Sequence, residues 1–203
     1  FIPEAWESFK GSGIDLGSGV GCISSTIAKK ESVKKVYSVE LVESVVSLCQ
    51  PIIIKKILGK DANKVIPVIG DFDNLKVKDS SLDFAVSWFS MHHSLDPVKT
   101  FREAYRALKP GGKFIFADKV HSNNTPNKEI ERMLNIVYGE DFLKKNFRPP
   151  GIKLTRRQNG EHEYRFFEWE KFIKKSGFKI VTEIMVKTDN DENRKNKNDN
   201  KLC

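Results

Sequence analysis

With 203 residues, of which 39% are hydrophobic and 31% charged, the chain fits one domain with a hydrophobic core. Its net charge of +8 is compatible with an anionic partner. No apolar run approaches the ~20 residues of a membrane-spanning helix, and Phe1-Ile2-Pro3-Glu4 does not have a signal-peptide pattern. The three cysteines form no C-x-x-C pair, which argues against a disulfide framework and a zinc site and favours the cytoplasm.

The first predicted element is a short apolar strand that runs into a glycine-rich turn, Gly13-Ile-Asp-Leu-Gly-Ser-Gly-Val-Gly-Cys-Ile23. Gly17, Gly19 and Gly21 remove side chains where the backbone turns tightly and where a ligand could approach the main chain. Asp15 lies inside the strand, where a carboxylate is costly unless it has a partner. We favour a ligand-binding turn over a purely structural connection.

Strand and helix signals then alternate up to residue 118, which is typical of a parallel sheet with crossover helices. The four later strands of this region share short apolar runs and are predicted at 35–39, 64–69, 82–87 and 113–117. A helix from about Val42 is expected to kink or break at Pro51. Pro67 cannot donate to a sheet ladder, which predicts that the third strand lies at an edge. Asp96-Pro97 predicts the start of the helix before the fifth strand, and residues 110–112 its end.

The region 119–167 departs from this alternation. Only one helix is evident in it, beginning at Thr125-Pro126, so we expect these residues to form a cap or lid over a substrate site. A last helix around Trp169 is predicted to stop at Gly177, and the apolar alternation of 178–186 predicts a sixth strand. We expect a single domain over 1–186 and a flexible polar tail over 187–203.

A run of basic residues crosses the predicted cap. It has no acidic residue within it and consists of Lys144, Lys145, Arg148, Lys153, Arg156 and Arg157. We favour a solvated surface over an anion or nucleic-acid site, which stays open as the alternative.

Three acidic residues, Asp15, Glu40 and Asp71, follow or end successive predicted strands, where the ligand crevice of a parallel sheet lies. Glu40 comes 23 residues after Gly17, close to the spacing at which a carboxylate receives ribose hydroxyls. Asp71 offers a carboxylate to an amine, and Phe72 offers a ring to a base. A dinucleotide fingerprint needs a third glycine at position 22, where Cys22 stands. The G-x-G-x-G spacing found instead is that of an S-adenosylmethionine site.

The segment from Ile14 to Gly21 resembles motif I of the class I S-adenosylmethionine-dependent methyltransferases. Glu40 and the segments 70–71, 82–84 and 101–112 are similar to the later motifs of that family, in the same order. The closest branch is the methyltransferase type 11 domain. The resemblance covers about residues 10–118, with a weaker match at 168–186, and it implies a Rossmann-like, doubly wound, mostly parallel α/β sheet.

The family sheet has a seventh strand that is antiparallel and linked to the sixth by a hairpin. Only Leu202-Cys203 follow the polar tail, so we expect that the sheet edge is incomplete or that the chain is cut at the start of that strand.

The resemblance also implies roles for individual residues. Those expected to hold the methionine part of the cofactor are Asp15 and the backbone of Gly17, Ser18, Gly19 and Gly21. Those expected around the nucleoside are Glu40 on the ribose hydroxyls, and Leu41, Asp71 and Phe72 on the adenine. Ser87 and Trp88 are expected to border the sulfonium and the acceptor. No metal is expected.

Methyl transfer from a sulfonium is an in-line displacement, so a general base is needed only where the acceptor must lose a proton. His93 is the first candidate for that base and His92 the second, and a structural role of His93 in the loop stays open as the alternative. The sequence after the fourth strand contains neither an Asp/Asn-Pro-Pro-aromatic motif nor a Pro-Cys nucleophile. We therefore expect a small-molecule acceptor. An RNA or other anionic acceptor, or a non-catalytic cofactor-binding subunit of another protein, stays open.

Overall fold

The computed structural model describes residues 3–146 and 148–185. A five-stranded sheet in the order β3-β2-β1-β4-β5 forms its centre, and every pair of neighbouring strands is parallel. The strands are β1 (Gly11–Leu16), β2 (Val33–Glu40), β3 (Val65–Ile69), β4 (Leu82–Trp88) and β5 (Leu108–Ala117). Because the chain order reverses between β1 and β4, the carboxyl ends of these two strands border the crevice where such sheets bind ligands.

Seven α-helices are present in the described residues. They are α1 (Pro3–Ser8), α2 (Cys22–Ala28), α3 (Gln50–Leu58), α4 (Pro97–Ala107), α5 (Asn127–Leu134), α6 (Glu140–Lys145) and α7 (Phe166–Lys175). A π-helical turn, Val45–Cys49, directly precedes α3, and Met91–His93 form a 3-10 turn after β4. Along the described chain, none of the helices has the length and apolar character needed to cross a lipid bilayer.

The sheet is covered on both faces, which confirms the predicted doubly wound α/β class. On one face, α2 and α3 pack Ile27 and Ile54 against Val36, Phe84 and other buried strand residues. Successive residues of one strand point to opposite faces of the sheet. Ala85, next to Phe84, therefore packs on the other face, under α4, together with Ile14. On this second face the β3–β4 connection, residues 70–81, has no helix and leaves a groove of about 600 Å³ beside the sheet.

Two local signals in the sequence are confirmed by the fold. β3 lies at the edge of the sheet, as Pro67 requires, since a proline within a central strand would leave a ladder position without a donor. Asp96 caps α4 by accepting a hydrogen bond from the Lys99 N–H at 3.2 Å, and Pro97 occupies the first helical position.

One predicted boundary and two predicted elements are wrong. Residues 108–112 belong to β5 rather than to the end of α4, because the chain enters the sheet through a register shift opposite Leu82 and Phe84. The region 119–167 contains α6 in addition to α5, a short helix that shows little periodicity. Residues 178–185 are not a strand, since the far edge of β5 has no partner strand in the described residues and Val181 is 75% exposed. Val186 and the predicted flexible tail lie outside the described residues.

Candidate functional site

The glycine turn lies between β1 and α2. Gly17, Gly19 and Gly21 all have positive φ angles, of 70°, 53° and 84°, which side chains disfavour. A Cβ atom at Gly17 would lie 2.4 Å from the Ser90 Cβ, so this glycine allows close packing against the loop after β4. A Cβ at Gly19 would meet nothing within 4 Å. Gly19 therefore borders open space at the carboxyl edge of the sheet.

The end of β2 holds this turn in place. The N–H groups of Gly17 and Ser18 donate to the Val39 carbonyl at 3.0 and 2.9 Å. The Gly19 N–H donates to Glu40 Oε2 at 3.1 Å, and the Val42 N–H donates to Oε1 of the same carboxylate at 3.0 Å. The structure thus brings Glu40 to the glycine turn, as its predicted role requires.

Asp15 is buried beneath the turn, with 1% of its surface exposed. Its Oδ2 accepts a hydrogen bond of 2.6 Å from the Ser24 hydroxyl, whose oxygen lies 2.9 Å from that of Ser38. Oδ1 has no hydrogen-bond partner. Burial raises the pKa of Asp15 from 3.8 to about 7, a change that the Ser24 hydrogen bond opposes and the charge of Glu40 increases. This carboxyl group is therefore held in a costly environment with one oxygen unused.

The predicted adenine side lies beside the same turn. The Gly70 N–H donates to the Glu40 carbonyl at 3.0 Å, which places the end of β3 next to the end of β2. The ring of Phe72 comes within 3.4 Å of a Cβ built at Gly17. Asp71 is exposed and its Oδ1 accepts the Asp73 N–H at 2.8 Å. Leu41, next to Glu40, is 70% exposed.

The loop after β4 contacts the glycine turn through a residue that sequence analysis missed. The Ser90 hydroxyl donates to the Leu16 carbonyl at 2.6 Å. The Ser87 hydroxyl oxygen lies 2.6 Å from the Ser90 hydroxyl oxygen. Ser87 is fully buried, so its side chain supports the loop from within, whereas Trp88 is 37% exposed. Phe89 has a φ of 53°, which is strained for a non-glycine residue. No sequence signal reveals the Ser90 contact, because the bonded carbonyl is 74 residues away.

The two adjacent histidines have different environments. His92 is buried, its Nδ1 lies 2.6 Å from Asp118 Oδ1, and its N–H donates to Oδ2 of the same carboxylate. His93 is exposed at the surface and stacks obliquely on His92, with ring centres 4.3 Å apart. Burial of part of its ring lowers the pKa of His93, and repulsion from His92 adds to this effect. His93 is therefore more accessible than His92 and is held towards its neutral form.

A cluster of ion pairs around two buried glutamates joins distant segments within the predicted cap, residues 119–167. Glu163 Oε2 lies 2.5 Å from His121 Nε2, and the same carboxylate pairs with Lys119 and Arg156. Glu161 pairs with the same two cations. Burial alone would raise the pKa of Glu163, but the His121 hydrogen bond and the two positive charges outweigh it and lower the pKa to about 2. The His162 N–H also donates to the His92 carbonyl at 2.9 Å, so the cap lies directly beside the histidine turn.

Acids from outside the basic run partly neutralise it. Arg156 belongs to the ion cluster just described, and Arg157 Nη2 lies 2.6 Å from Glu131 Oε2. The Gly151 N–H within the run donates to Glu140 at 3.2 Å. Although the segment itself contains no acidic residue, the folded chain therefore places acidic side chains from other segments beside it.

These residues fit the cofactor that the sequence resemblance implies. The open face of Gly19 leaves room for a ligand, Glu40 lies at the edge of that space, and Asp15 has a buried oxygen without a partner. The described residues contain no group of three or more His, Cys, Asp or Glu side chains that could hold a metal ion.

Comparison with known proteins gives consistent results. The family model described as a methyltransferase domain matches residues 14–116. A sarcosine/dimethylglycine N-methyltransferase from Halorhodospira halochloris is 32% identical over 95 residues, which cover 47% of this chain and 33% of that protein. An arsenite methyltransferase from Aquipseudomonas alcaligenes is 39% identical over 72 residues, covering 36% of this chain and 20% of that protein. The matches thus span about a third or less of these relatives.

The fold has counterparts among solved structures. A SAM-dependent methyltransferase from Aquifex aeolicus superposes with a TM-score of 0.60 and 19% identity, over 92% of this chain and 84% of that one. At this level of identity the likeness concerns the fold alone.

Proposed function

The chain belongs to the methyltransferase domain family, whose cofactor is S-adenosylmethionine, and we propose that it transfers a methyl group from this cofactor to a small-molecule acceptor. The observation that carries the proposal is the contact between Glu40 and the Gly19 N–H at the open side of the glycine turn. It joins the predicted ribose carboxylate to the turn expected to hold the methionine part.

In this proposal the chain's own residues bind and orient, because the cofactor supplies the activated methyl group when bound. The turn at Gly17 to Gly21 presents backbone to the cofactor, and Glu40 receives the ribose hydroxyls. Asp15 receives the ammonium group, and Leu41, Asp71 and Phe72 flank the adenine. Positioning of this kind supplies much of the rate of a displacement with a neutral leaving group.

The acceptor is proposed to enter between the loop after β4 and the cap. Trp88 and Phe89 offer exposed aromatic surface there, and Ser87 supports the loop. His93 is the candidate general base, since its exposed ring and lowered pKa favour the neutral form that accepts a proton. His92 is less suited to that role because it is buried against Asp118.

A small-molecule acceptor is supported by related proteins, which include a sarcosine/dimethylglycine N-methyltransferase and an arsenite methyltransferase. The pairing of Arg156 and Arg157 with acids outside the basic run weakens the alternative of an RNA acceptor. A cytoplasmic location remains our proposal, based on the cysteine pattern.

A non-catalytic cofactor-binding subunit is the second candidate. It is favoured by the far edge of β5, which has no partner strand within the described residues. A solved structure of similar fold, with a TM-score of 0.59 and 17% identity, is a complex of the Haloferax volcanii Trm112 methyltransferase activator with a methyltransferase. A partner at this edge would pair with the unused backbone groups of β5.

Isothermal titration with S-adenosylhomocysteine, the reaction product, tests the cofactor site. We expect Glu40→Ala to weaken binding at least tenfold, which corresponds to about 1.4 kcal/mol. Glu43→Ala is the matched control, because Glu43 lies exposed three residues further along the same chain segment. Equal affinity of wild type and Glu40→Ala would contradict the proposed site. A methyl-donor assay over a metabolite panel then separates the enzyme from the non-catalytic subunit, which would bind the cofactor without turnover.

A further inference from the structure

A π-helical turn places an unexpected side chain under the glycine turn. Pro51 has no N–H and cannot donate to a carbonyl of the turn before it, and the π-helical residues Val45–Cys49 come directly before α3. A π-helical turn holds about one residue more than an α-helical turn, and one additional residue rotates the positions after it by about 100° around the helix axis. Gln50, the first residue of α3, follows this turn and lies in the interior with 0% of its surface exposed.

The Gln50 carboxamide bonds to the glycine turn at two points. Its Nε2 donates to the Gly19 carbonyl at 2.8 Å and to the Ser18 hydroxyl oxygen at 3.0 Å. The N–H of the same Gly19 donates to Glu40 Oε2 at 3.1 Å. Both polar groups of Gly19 are thus held by side chains, one at the end of β2 and one at the start of α3, while the position of its missing Cβ faces open space.

The second polar atom of this carboxamide makes the arrangement costly. Gln50 Oε1 is buried and has no hydrogen-bond partner. A buried polar atom without a partner destabilises the folded chain, and an apolar side chain of the same shape avoids that loss. Packing alone therefore does not explain a glutamine at this position, whereas its two hydrogen bonds to the turn do.

We propose that Gln50 is a positioning residue of the cofactor site. Its carboxamide fixes the peptide groups around Gly19, so that the open face of the turn and the Glu40 carboxylate keep the spacing that the cofactor needs. Gln50 does this from the interior side of the turn and touches no reacting atom. This inference rests on the proposed cofactor site and adds a residue that no motif of the sequence contains.

The test compares two variants of similar shape with a control in the same helix. Gln50→Met keeps the volume and removes both donors, and Gln50→Glu replaces the donors with carboxylate oxygens. Leu58→Ala opens a cavity at the other end of α3, where Leu58 is 9% exposed, and it destabilises the fold without touching the turn. Each protein is titrated with S-adenosylhomocysteine at a temperature where circular dichroism shows it folded. Amide hydrogen exchange of residues 17–21 is measured without ligand.

We expect both Gln50 variants to bind S-adenosylhomocysteine at least tenfold more weakly and to exchange the turn amides faster. The Leu58→Ala variant should stay within twofold of wild type in affinity despite its lower melting temperature. Affinity of Gln50→Met within twofold of wild type overturns the inference, as does an equal loss in Leu58→Ala. If wild type itself does not bind, the proposed function fails. Faster exchange of the turn amides in Gln50→Met then still supports the positioning role, and unchanged exchange overturns it.

Discussion

The buried carboxyl group of Asp15 predicts that cofactor binding depends on pH. Its pKa is raised from 3.8 to about 7 by burial, so near neutral pH about half of the unliganded molecules carry a proton there. A cofactor ammonium group beside this carboxyl group favours the ionised form, so binding releases a proton. With a free-state pKa of about 7, the linkage relation predicts that affinity for S-adenosylhomocysteine falls about fivefold between pH 7 and pH 6. The ammonium group stays charged in this range because α-amino groups titrate near pH ~8.

Asp15→Asn should remove this pH dependence and weaken binding at pH 7, while raising the stability of the unliganded protein. An acid whose folded pKa exceeds its unfolded value of 3.8 lowers the free energy of unfolding as pH rises from about 4 to 7. The whole effect amounts to up to about 4 kcal/mol above pH 7, which the asparagine recovers. Isothermal titration from pH 5.5 to 7 and urea unfolding at pH 7.5 measure the two effects.

Asp83→Asn is the control for this experiment. Asp83 lies on β4 and bonds to Lys109 and to the Ser12 N–H near the start of β1, at the opposite end of the sheet from the glycine turn. Its substitution should leave the affinity and its pH dependence unchanged. A flat affinity of the wild type between pH 5.5 and 7, or an Asp15→Asn variant that binds like wild type, would refute the role assigned to Asp15.

Three further outcomes follow from the site and the cap. Gly17→Ala and Gly19→Ala both place a Cβ at a positive φ, but only the Cβ at Gly17 would also meet a neighbouring side chain, so Gly17→Ala should lower the melting temperature more. Gly19→Ala should weaken S-adenosylhomocysteine binding, and equal melting temperatures of the two variants would contradict this reasoning. Glu163→Gln should cost up to about 3 kcal/mol at pH 7 in urea unfolding. The wild-type contribution is present above pH ~4.5 and disappears as pH falls through a pKa of about 2, so an equal loss at pH 2 would count against it. His92→Ala should lower the free energy of unfolding by about 2 kcal/mol in the same assay, because His92 is buried. His93→Ala should lower it by less than about 0.5 kcal/mol, because His93 is exposed. A larger loss in His93→Ala than in His92→Ala would contradict these environments.

Local signals in the sequence determined the sheet and its ligand-binding end. Glycine spacing, apolar periodicity and proline positions act within a few residues, so they specify a strand, a turn or a helix start without reference to distant parts of the chain. Pro67 predicted an edge strand and Asp96-Pro97 a helix start, and both are confirmed. The order of Asp15, Glu40 and Asp71 along the chain placed three acids at one edge because parallel strands end on the same side.

The predicted sixth strand illustrates the limit of such patterns. The alternation of 178–185 has the period of a strand, but a strand also needs a neighbour to receive its backbone hydrogen bonds. In the described residues this segment has no such neighbour, so the periodicity alone does not produce a strand.

Tertiary structure decided how the site is supported. Ser90 meets the Leu16 carbonyl across 74 residues, and Gln50, which directly follows a π-helical turn, reaches Gly19 across 31. The charge of the basic run likewise depends on acids from other segments, such as Glu131 beside Arg157. Contacts of this kind join residues that are far apart in the chain and leave no period in the sequence. The glycine turn could therefore be recognised from its own residues, whereas the side chains that hold it in shape became visible only when the chain was folded around it.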